Sequence, residues 1–279
     1  YDSGPRAGGN PSGSVFIGNN AGNSAGGNGL GQRVVIGQGA CSTNGGGRYS
    51  VYIGYQSGRF GSQNNNSSNV MIGANAAYNH FSTTNSVGIG HGSMNGADTT
   101  GSIAIGWSSN AGDADYNTMI GYQAGNNSLL GGNNTMIGHQ SGLALTTVNG
   151  ANNVALGYQA GTALTEGGNN VLIGYQAGST LTTESNKLYI ENSNSTTPLI
   201  YGEFDNDILR VNGTLQVNDP SSTGYAFPTA TGTLGQVLEV DANGDLAFAT
   251  PSGGGGSSQW TTTGSDIYYN TGNVGIGTA

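Results

Sequence analysis

A four-residue pattern, apolar–x–apolar–Gly, recurs between residues 15 and 190 and constrains the fold more than any other feature of the chain. Ten copies end in glycine, and an eleventh copy, which ends at Ile190, has Glu191 in its place. Successive glycines from Gly18 to Gly174 are 15 to 19 residues apart. A unit this short cannot hold two packed helices, and its triplets are mostly β-branched and flanked by Gly, Asn and Ser. The sequence therefore predicts a parallel β-solenoid of about eleven coils over residues 14–195.

Composition alone is typical of a disordered chain, and the repeat argues against that interpretation. Glycine supplies 53 of the 279 residues, against a usual share of about 7%. Charged residues supply 8%, against about 25% in ordinary domains. Such chains often bury too little apolar surface to offset the entropy of ordering. Because the apolar triplets recur at a nearly fixed spacing, stacking can bury them in continuous ladders, and we expect an ordered rod.

Stacked coils bring equivalent residues of successive repeats into columns. The last residue of every triplet is Ile or Leu, which predicts an inward ladder that includes Ile53, Ile72, Ile120, Ile137 and Ile173. The glycine after it is expected to adopt a φ that other residues avoid. Farther along lie a polar column and a column of Ala or Ser, where backbones should approach closely. Asn or Ser precedes most triplets, and these side chains should form hydrogen-bonded ladders.

The middle residue of each triplet points to the opposite face of the strand from its two neighbours. In a solitary solenoid an outward column should be polar, yet this column is mostly apolar. Apolar strands of this kind are typical of sheets that are covered on both faces. The sequence therefore predicts contact with two identical chains, and a homotrimer about the fibre axis is the simplest closed arrangement. The residues assigned to the trimer interface are Phe16, Tyr52, Met71, Met119, Met136 and Leu172.

An aromatic column directly follows the repeat glycine in several coils. Its rings could stack on the sugars of a surface polysaccharide, or they could seal the groove between sister chains. The candidate ligand-binding residues are Tyr55, Trp107, Tyr122, Tyr158 and Tyr175. His91 and His139 occupy the same column and have no paired Cys or carboxylate at ligand spacing, so a stacking position is favoured over a metal site.

The distribution of charge excludes some classes of partner. Residues 111–279 carry two basic and thirteen acidic side chains, a net charge of −11, whereas residues 1–110 carry four basic and two acidic ones. Nucleic acid and anionic membranes demand a basic patch, so neither is an expected partner. A single cysteine, Cys41, rules out a disulfide framework within the chain. No run of 18 apolar residues is present, and we expect no membrane insertion.

No constellation of residues predicts catalysis, a cofactor or a metal centre. The acids of the repeat region up to residue 178 are Asp98, Asp113, Asp115 and Glu166, and all fall in loops between coils rather than in a groove suited to glycoside hydrolysis. Asp241, Asn243 and Asp245 are similar to the start of a calcium loop. Glycine stands at the fourth position there and no Glu at the twelfth, so a plain turn is favoured. We therefore expect a protein that is not an enzyme.

The period breaks after Asn194, and the remainder reads as small antiparallel hairpins. One hairpin is expected around Asp205-Asn206-Asp207, a tight turn at Asn212-Gly213, and a strand pair on either side of residues 241–244. The expected organisation is a lead-in at 1–13, the solenoid at 14–195, an antiparallel β stalk module at 196–250, a Gly/Ser linker at 251–259 and the start of a further β stalk module at 260–279.

The units at residues 117–125 and 170–178, both of which contain Ile-Gly-Tyr-Gln-Ala-Gly, resemble the head repeats of trimeric autotransporter adhesins. They resemble still more closely the repeats of phage tail-fibre and bacterial surface-fibre proteins that end in an endosialidase-type intramolecular chaperone. Residues 225–228, 235–238 and 272–278 are similar to stretches upstream of that chaperone. The resemblance covers about residues 14–195. It implies a left-handed parallel β-roll, intertwined trimers and a role in attachment.

Three function hypotheses remain. The first is a structural stalk and attachment segment of an extracellular trimeric fibre, in a virion tail fibre or on a bacterial cell surface, with neighbouring fibre or filament subunits and a surface glycan or receptor as partners. The second is an adhesin head that binds glycan or matrix protein. The third is a capsule depolymerase. In each case we expect the chain to be a piece of a longer protein, with further stalk and a chaperone after Ala279.

Overall fold

The computed structural model describes residues 13–23, 32–43, 47–60, 67–80, 82–110, 112–126, 131–147, 149–218, 221, 224–251, 260–263 and 266–269. Every regular element in this part of the chain is a β-strand. Most of the expected lead-in, most of the Gly/Ser linker and the segment at 272–278 fall outside the described residues. The fold is all-β, as the sequence predicts.

A single sheet contains thirteen of the nineteen strands in the described part of the chain. Its eleven short parallel strands follow one another in chain order. They are β1 (Val15–Ile17), β2 (Arg33–Ile36), β3 (Ser50–Ile53), β4 (Val70–Ile72), β5 (Val87–Ile89), β6 (Ile103–Ile105), β7 (Thr118–Ile120), β8 (Thr135–Ile137), β9 (Val154–Leu156), β10 (Val171–Ile173) and β11 (Lys187–Ile190). Each repeat supplies one strand, which confirms the parallel β-solenoid.

The solenoid has about nine turns, fewer than the eleven coils expected. The first and last of the eleven parallel strands form the two ends of the stack. β1 has a parallel neighbour on one side only, and β11 pairs on its far side with an antiparallel hairpin. That hairpin consists of β12 (Ile200–Glu203) and β13 (Ile208–Val211), so the sheet continues past the boundary expected at 195.

The parallel strands pair without a shift in register, so like residues of successive repeats lie opposite one another. Met119 lies opposite Met136 and Ile120 opposite Ile137, although the loops between strands differ in length. Because the register never slips, each position of the repeat forms a continuous column, as the sequence predicts.

The two faces of the sheet are the reverse of those expected. The middle residues of the triplets, such as Met71, Met119 and Leu172, are fully buried within the chain. The final Ile column was expected to be the inward ladder, but Ile120 is half-buried and Ile137 is 38% exposed. The core of each coil is therefore built on the middle column, and the Ile ladder lies on the outer face.

The reason for this reversal lies in the segment after the turn, which folds back over the middle residue. A Cβ added to Gly58 would lie 2.3 Å from the ring of Tyr52, and one added to Gly142 would lie 2.5 Å from Sδ of Met136. The neighbouring Ala or Ser column is also buried, from Ala21 to Ala177. The small residues of the repeat thus make room for large middle side chains. At the Ala or Ser column the backbones of successive coils hydrogen-bond, as between the N–H of Gly58 and the carbonyl of Ala76 at 2.9 Å, which confirms the predicted close approach.

A buried polar ladder runs beside this core. Asn117, Asn134 and Asn153 are fully buried, and each accepts the backbone N–H of its counterpart in the next coil through its side-chain oxygen, at 2.8 to 3.0 Å. The Asn134 amide also donates to the carbonyls of Gly131 and Gly150. Buried amides that are satisfied on both ends lock adjacent coils together. The hydrogen-bonded ladder expected from the sequence is confirmed.

The glycine that ends each repeat pattern has a backbone that only glycine adopts readily. Its φ lies between +119° and +139° in all ten copies. A Cβ on Gly138 would lie 2.2 Å from the carbonyl oxygen of Gly157 in the next coil. Both the positive φ and the contact between coils therefore require glycine, which confirms the role assigned to it.

A second compact unit begins at Gly213. Its strands are β14 (Gln216–Val217), β15 (Tyr225–Ala226), β16 (Val237–Val240), β17 (Leu246–Ala249), β18 (Trp260–Thr263) and β19 (Asp266–Tyr269), and they pair as three antiparallel hairpins. The hairpins expected around residues 205–207 and 241–244 are confirmed. The strand after Asn212-Gly213 pairs forward with β15 rather than back with β13.

Candidate functional site

Six aromatic rings stack on one another along the solenoid, one per coil. Neighbouring ring centroids are 4.8 to 6.1 Å apart and the ring planes lie within 8° to 19° of parallel. The rings belong to His91, Trp107, Tyr122, His139, Tyr158 and Tyr175. We call this set the aromatic ladder. The stacking position favoured for the two histidines is confirmed.

A ladder of glutamine amides runs alongside the aromatic ladder. Gln140 donates to Gln123, Gln159 to Gln140, and Gln176 to Gln159, through side-chain amides at 2.9 to 3.0 Å. Each of these residues has a φ between +52° and +54°, a left-handed backbone that residues other than Gly and Asn seldom adopt. The amide chain offsets this local strain and holds the coils in register.

The stacking of the ladder limits what its rings can bind. A sugar packs on the face of an aromatic ring, and both faces of Trp107, Tyr122 and Tyr158 are covered by neighbouring rings. These side chains are 41% to 45% exposed, so their edges rather than their faces reach solvent. The middle of the ladder therefore exposes only ring edges, and no ring face there is free for a sugar to stack on.

Tyr55 belongs to the same column but not to the ladder. The equivalent residue of the next coil is Ala74, and that of the previous coil is Gln38. Tyr55 is 49% exposed and stacks on no other ring among the described residues. It is thus the one predicted ligand-binding residue that the structure separates from the other four.

Tyr55 lines a polar surface groove of about 230 Å³ formed by the first three coils. The other side chains that line this groove are Asn20, Asn23, Gln38, Ser42, Gln56 and Arg59. Two buried polar atoms here, Oδ1 of Asn23 and Nε of Arg59, have no hydrogen-bond partner within the described part of the chain. Sequence reasoning missed this groove, because its side chains come from loops that only the stacking of coils brings together.

The outer face of the sheet is a continuous apolar surface. It consists of the first and third residues of every triplet, which are Val, Ile, Leu or Thr in all eleven strands. All of them are half-buried or exposed, and Val15, Ile17 and Ile137 are the most exposed, at 45%, 55% and 38%. None of these positions carries a charge. We call this surface the outer apolar face.

The six residues assigned to a trimer interface do not lie on this face. Tyr52, Met71, Met119, Met136 and Leu172 are fully buried inside the chain, and Phe16 packs against the same core at its first coil. A side chain that a chain has already buried cannot contact a neighbour. That assignment was wrong, because a triplet that is apolar at all three positions does not reveal which face is inside.

Three of the four candidate catalytic acids serve as hydrogen-bond acceptors between coils. Oδ1 of Asp98, of Asp113 and of Asp115 each accepts a backbone N–H from the preceding coil, at 2.7 to 3.1 Å. The described residues contain no group of three His, Cys, Asp or Glu side chains that could hold a metal ion. These acids therefore have a structural use in the loops.

The turn at residues 241–244 is an ordinary hairpin turn. Oδ1 of Asp241 accepts the N–H groups of Asn243 and Asp245 at 2.8 and 2.9 Å. These backbone hydrogen bonds lower the pKa of Asp241 below its usual value. The turn expected between the two flanking strands is confirmed.

His80 is buried in the core and gives the fold a dependence on pH. Nδ1 donates to the carbonyl of Ala77, whereas Nε2 has no partner among the described residues. Burial lowers the pKa of His80 below its usual value of 6.5. The hydrogen bond to Ala77 and the charge of Asp98 act in the opposite direction and are weaker. The unfolded chain therefore takes up a proton before the folded chain does, and stability falls as pH drops below about 6.5. The loss is at most about 1.4 kcal/mol per pH unit for one group.

We expect the urea concentration at the unfolding midpoint to be lower at pH 5 than at pH 7. This decrease should be much smaller in His80→Asn. His91→Asn, which removes an exposed ring of the aromatic ladder, is the matched control and should keep the dependence on pH. An unfolding midpoint of the unmodified chain that is equal at the two pH values would contradict the role of His80.

Within the described residues, no helix is long and apolar enough to span a membrane. The sequence matches no known protein-family model, and neither a curated protein nor a solved structure is significantly similar to it.

Proposed function

We propose that the chain is a structural stalk and attachment segment of an extracellular trimeric fibre, in which three copies pack through the outer apolar face. The observation that carries this proposal is the length of that face, which runs over all eleven parallel strands without a charged residue. Extended apolar surfaces of this kind mark interaction sites in soluble proteins.

The size of the outer apolar face fits a stable interface. Eleven strands about 4.8 Å apart make a strip about 50 Å long. Standard interfaces bury about 800 Å² on each partner. A triplet spans about 10 Å, so the strip itself presents about 500 Å², which is more than half of that area. Burial contributes about 25 cal/mol per Å² of apolar surface, which favours assembly.

A second copy of the same chain is the occupant that the geometry favours. The side chains on the face repeat at the spacing of the coils, so a partner must present apolar groups at that same spacing along its length. The solenoid itself does so, since its columns are in register from β1 to β11. Closed rotational symmetry about the long axis then allows three chains to cover one another's faces and leaves no open edge.

Several features support a structural role over a catalytic one. The buried Asn ladder, the glutamine ladder and the glycine column tie each coil to the next, which suits a rigid rod. The loop acids Asp98, Asp113 and Asp115 accept backbone hydrogen bonds from the preceding coil, which is a structural role. These features support the proposed role of a repetitive filament segment, in a virion tail fibre or on a bacterial surface.

We expect Ile120→Lys combined with Ile137→Lys to dissociate the assembly and leave each chain folded. Both side chains lie on the outer face, where a lysine can reach solvent in a lone chain, but in an assembly it would force unpaired charges into an apolar seam. Light scattering coupled to size exclusion should report single chains, while far-UV circular dichroism stays as in the unmodified protein.

The matched control is Thr146→Lys combined with Thr183→Lys, which adds the same charge on exposed loops. The control should assemble as the unmodified chain does. If the outer-face variant kept the mass of the unmodified assembly, the outer apolar face would not be the interface.

A further inference from the structure

We propose that the polar groove around Tyr55 and Arg59 binds a carboxylate-bearing sugar unit of a surface polysaccharide. This deepens the attachment role and rests on the proposed fibre function. The groove brings a free aromatic face, an arginine side chain and a set of short polar side chains together in one place.

Tyr55 supplies the surface on which a sugar ring can pack. The rings of the aromatic ladder cover one another, but the neighbours of Tyr55 in its column are Gln38 and Ala74. Its ring is half-exposed and lines the groove. An aromatic side chain of this kind offers an apolar face to the C–H groups of a sugar and a hydroxyl to its edge.

Arg59 supplies the charge that selects an acid. Its guanidinium carbon lies 4.9 Å from the ring centroid of Phe60 and 5.9 Å from that of Tyr78, so two aromatic rings hold it in place. Its Nε is buried without a hydrogen-bond partner in the described part of the chain, and none of the residues that line the groove is acidic. A planar guanidinium that is held in this way is suited to two parallel hydrogen bonds with a carboxylate.

The remaining side chains suit the hydroxyl groups of a sugar. Oδ1 of Asn23 is a buried acceptor without a donor among the described residues. The amides of Gln38 and Gln56 and the hydroxyl of Ser42 also line the groove and offer both donors and acceptors. The groove has a volume of about 230 Å³. Pockets for drug-sized ligands have volumes of about 300 Å³ or more. The groove therefore fits one sugar unit of a longer chain.

The charge of the whole chain points to the same location. The protein carries a net charge of −9, yet residues 1–110 have four basic and two acidic side chains. Among the described residues up to Asn110, three arginines stand against the one carboxylate of Asp98, so an acidic polysaccharide is repelled less by these coils than by the coils that follow them. The groove thus lies in coils whose described side chains have a net positive charge, which favours an acidic ligand.

The test is a titration of the assembled protein with trigalacturonate as the acidic probe, followed by calorimetry or by ligand-observed NMR. We expect the unmodified protein to bind trigalacturonate, and Arg59→Gln and Tyr55→Ala each to weaken its affinity at least tenfold. The unmodified protein should bind neutral galactotriose at least tenfold more weakly than trigalacturonate. Binding should also weaken in high salt, because an ion pair contributes to it. Acetate alone should not compete at equal concentration.

Two matched controls separate the groove from the rest of the surface. Arg210→Gln removes an exposed arginine of the hairpin, and Tyr175→Ala removes the last ring of the aromatic ladder. Both should bind the probe as the unmodified protein does. Absence of binding, or equal loss in the controls, would overturn the groove assignment.

The same samples are measured by light scattering, so that the two proposals fail separately. A trimer that does not bind trigalacturonate would refute the groove and leave the fibre standing. A monomer that binds it through Tyr55 and Arg59 would refute the trimer and leave the groove standing.

Discussion

Replacement of Met136 with lysine should abolish folding of the chain. Met136 is fully buried between Met119 and Ala155 of the neighbouring coils, and the backbone of Gly142 lies against its sulfur. A lysine there would bury an ammonium group that has no partner, at a cost of several kcal/mol. Domain stabilities are only about 5–15 kcal/mol, and the solenoid core is narrow. The measurement is soluble yield together with far-UV circular dichroism of the purified chain.

The matched control is the neighbouring residue, Ile137→Lys. Ile137 points to the outer face and is 38% exposed, so its lysine should leave the coil folded. The two substitutions introduce the same side chain one residue apart, and the main difference between them is the face of the sheet. A folded Met136→Lys variant beside an unfolded Ile137→Lys variant would show that the Ile column is the core and that the faces described above are wrong.

Replacement of Gly138 with alanine should cost at least about 3 kcal/mol of unfolding free energy. Its φ of +138° is strained for any residue with a Cβ, and that Cβ would lie 2.2 Å from the carbonyl oxygen of Gly157. The strain cannot relax locally, because the N–H groups of Gly138 and Gly157 bond to Ile120 and Ile137 in the preceding coils at 2.8 Å. Urea unfolding followed by circular dichroism gives the change in free energy.

Gly92→Ala is the control for this second prediction. Gly92 has a φ of +63°, which lies in the ordinary left-handed region, and the nearest atom to its Cβ would be Oγ of Ser108 at 3.5 Å. The expected loss is about 1–2 kcal/mol, the usual cost of a left-handed residue. Equal losses at Gly92 and Gly138 would mean that the contact between coils contributes nothing.

The repeat made the architecture predictable from the sequence. The fixed succession of triplet, glycine, polar and small residues defines one coil, and equivalent positions must then stack whatever the loop length. For this reason the glycine column, the Ala and Ser column and the Asn ladder around Asn134 were all predicted correctly. The positions of the hairpins at 205–207 and 241–244 followed from turn residues in the same way.

The orientation of the strands could not be predicted from the triplets. Alternation separates the middle residue from its neighbours, but Val, Met and Ile are all apolar and can occupy either face. The nearly constant Ile column favours the interpretation that this column forms the core. In fact the core column varies, because neighbouring side chains fill different amounts of the space beside it. Sδ of Met94, for example, would lie 3.2 Å from a Cβ at Gly88, so it fills the room left by that glycine.

The candidate site was predictable only in part. The aromatic column is visible in the sequence, and so is Ala74, which interrupts it after Tyr55. The rings stack face to face, so each ring covers the faces of its neighbours. This stacking depends on the angle at which successive side chains leave the coil, which the sequence does not show. The groove of Arg59 and Asn23 depends on loops from three coils, and no single stretch of sequence contains it.

The mass of the assembled protein in solution tests the central claim most directly. Multi-angle light scattering coupled to size exclusion, at about 0.15 M salt, should give three times the 28.0 kDa of one chain. A single well-folded species with the mass of one chain would contradict the account, because the outer apolar face would then be stable in water without a partner.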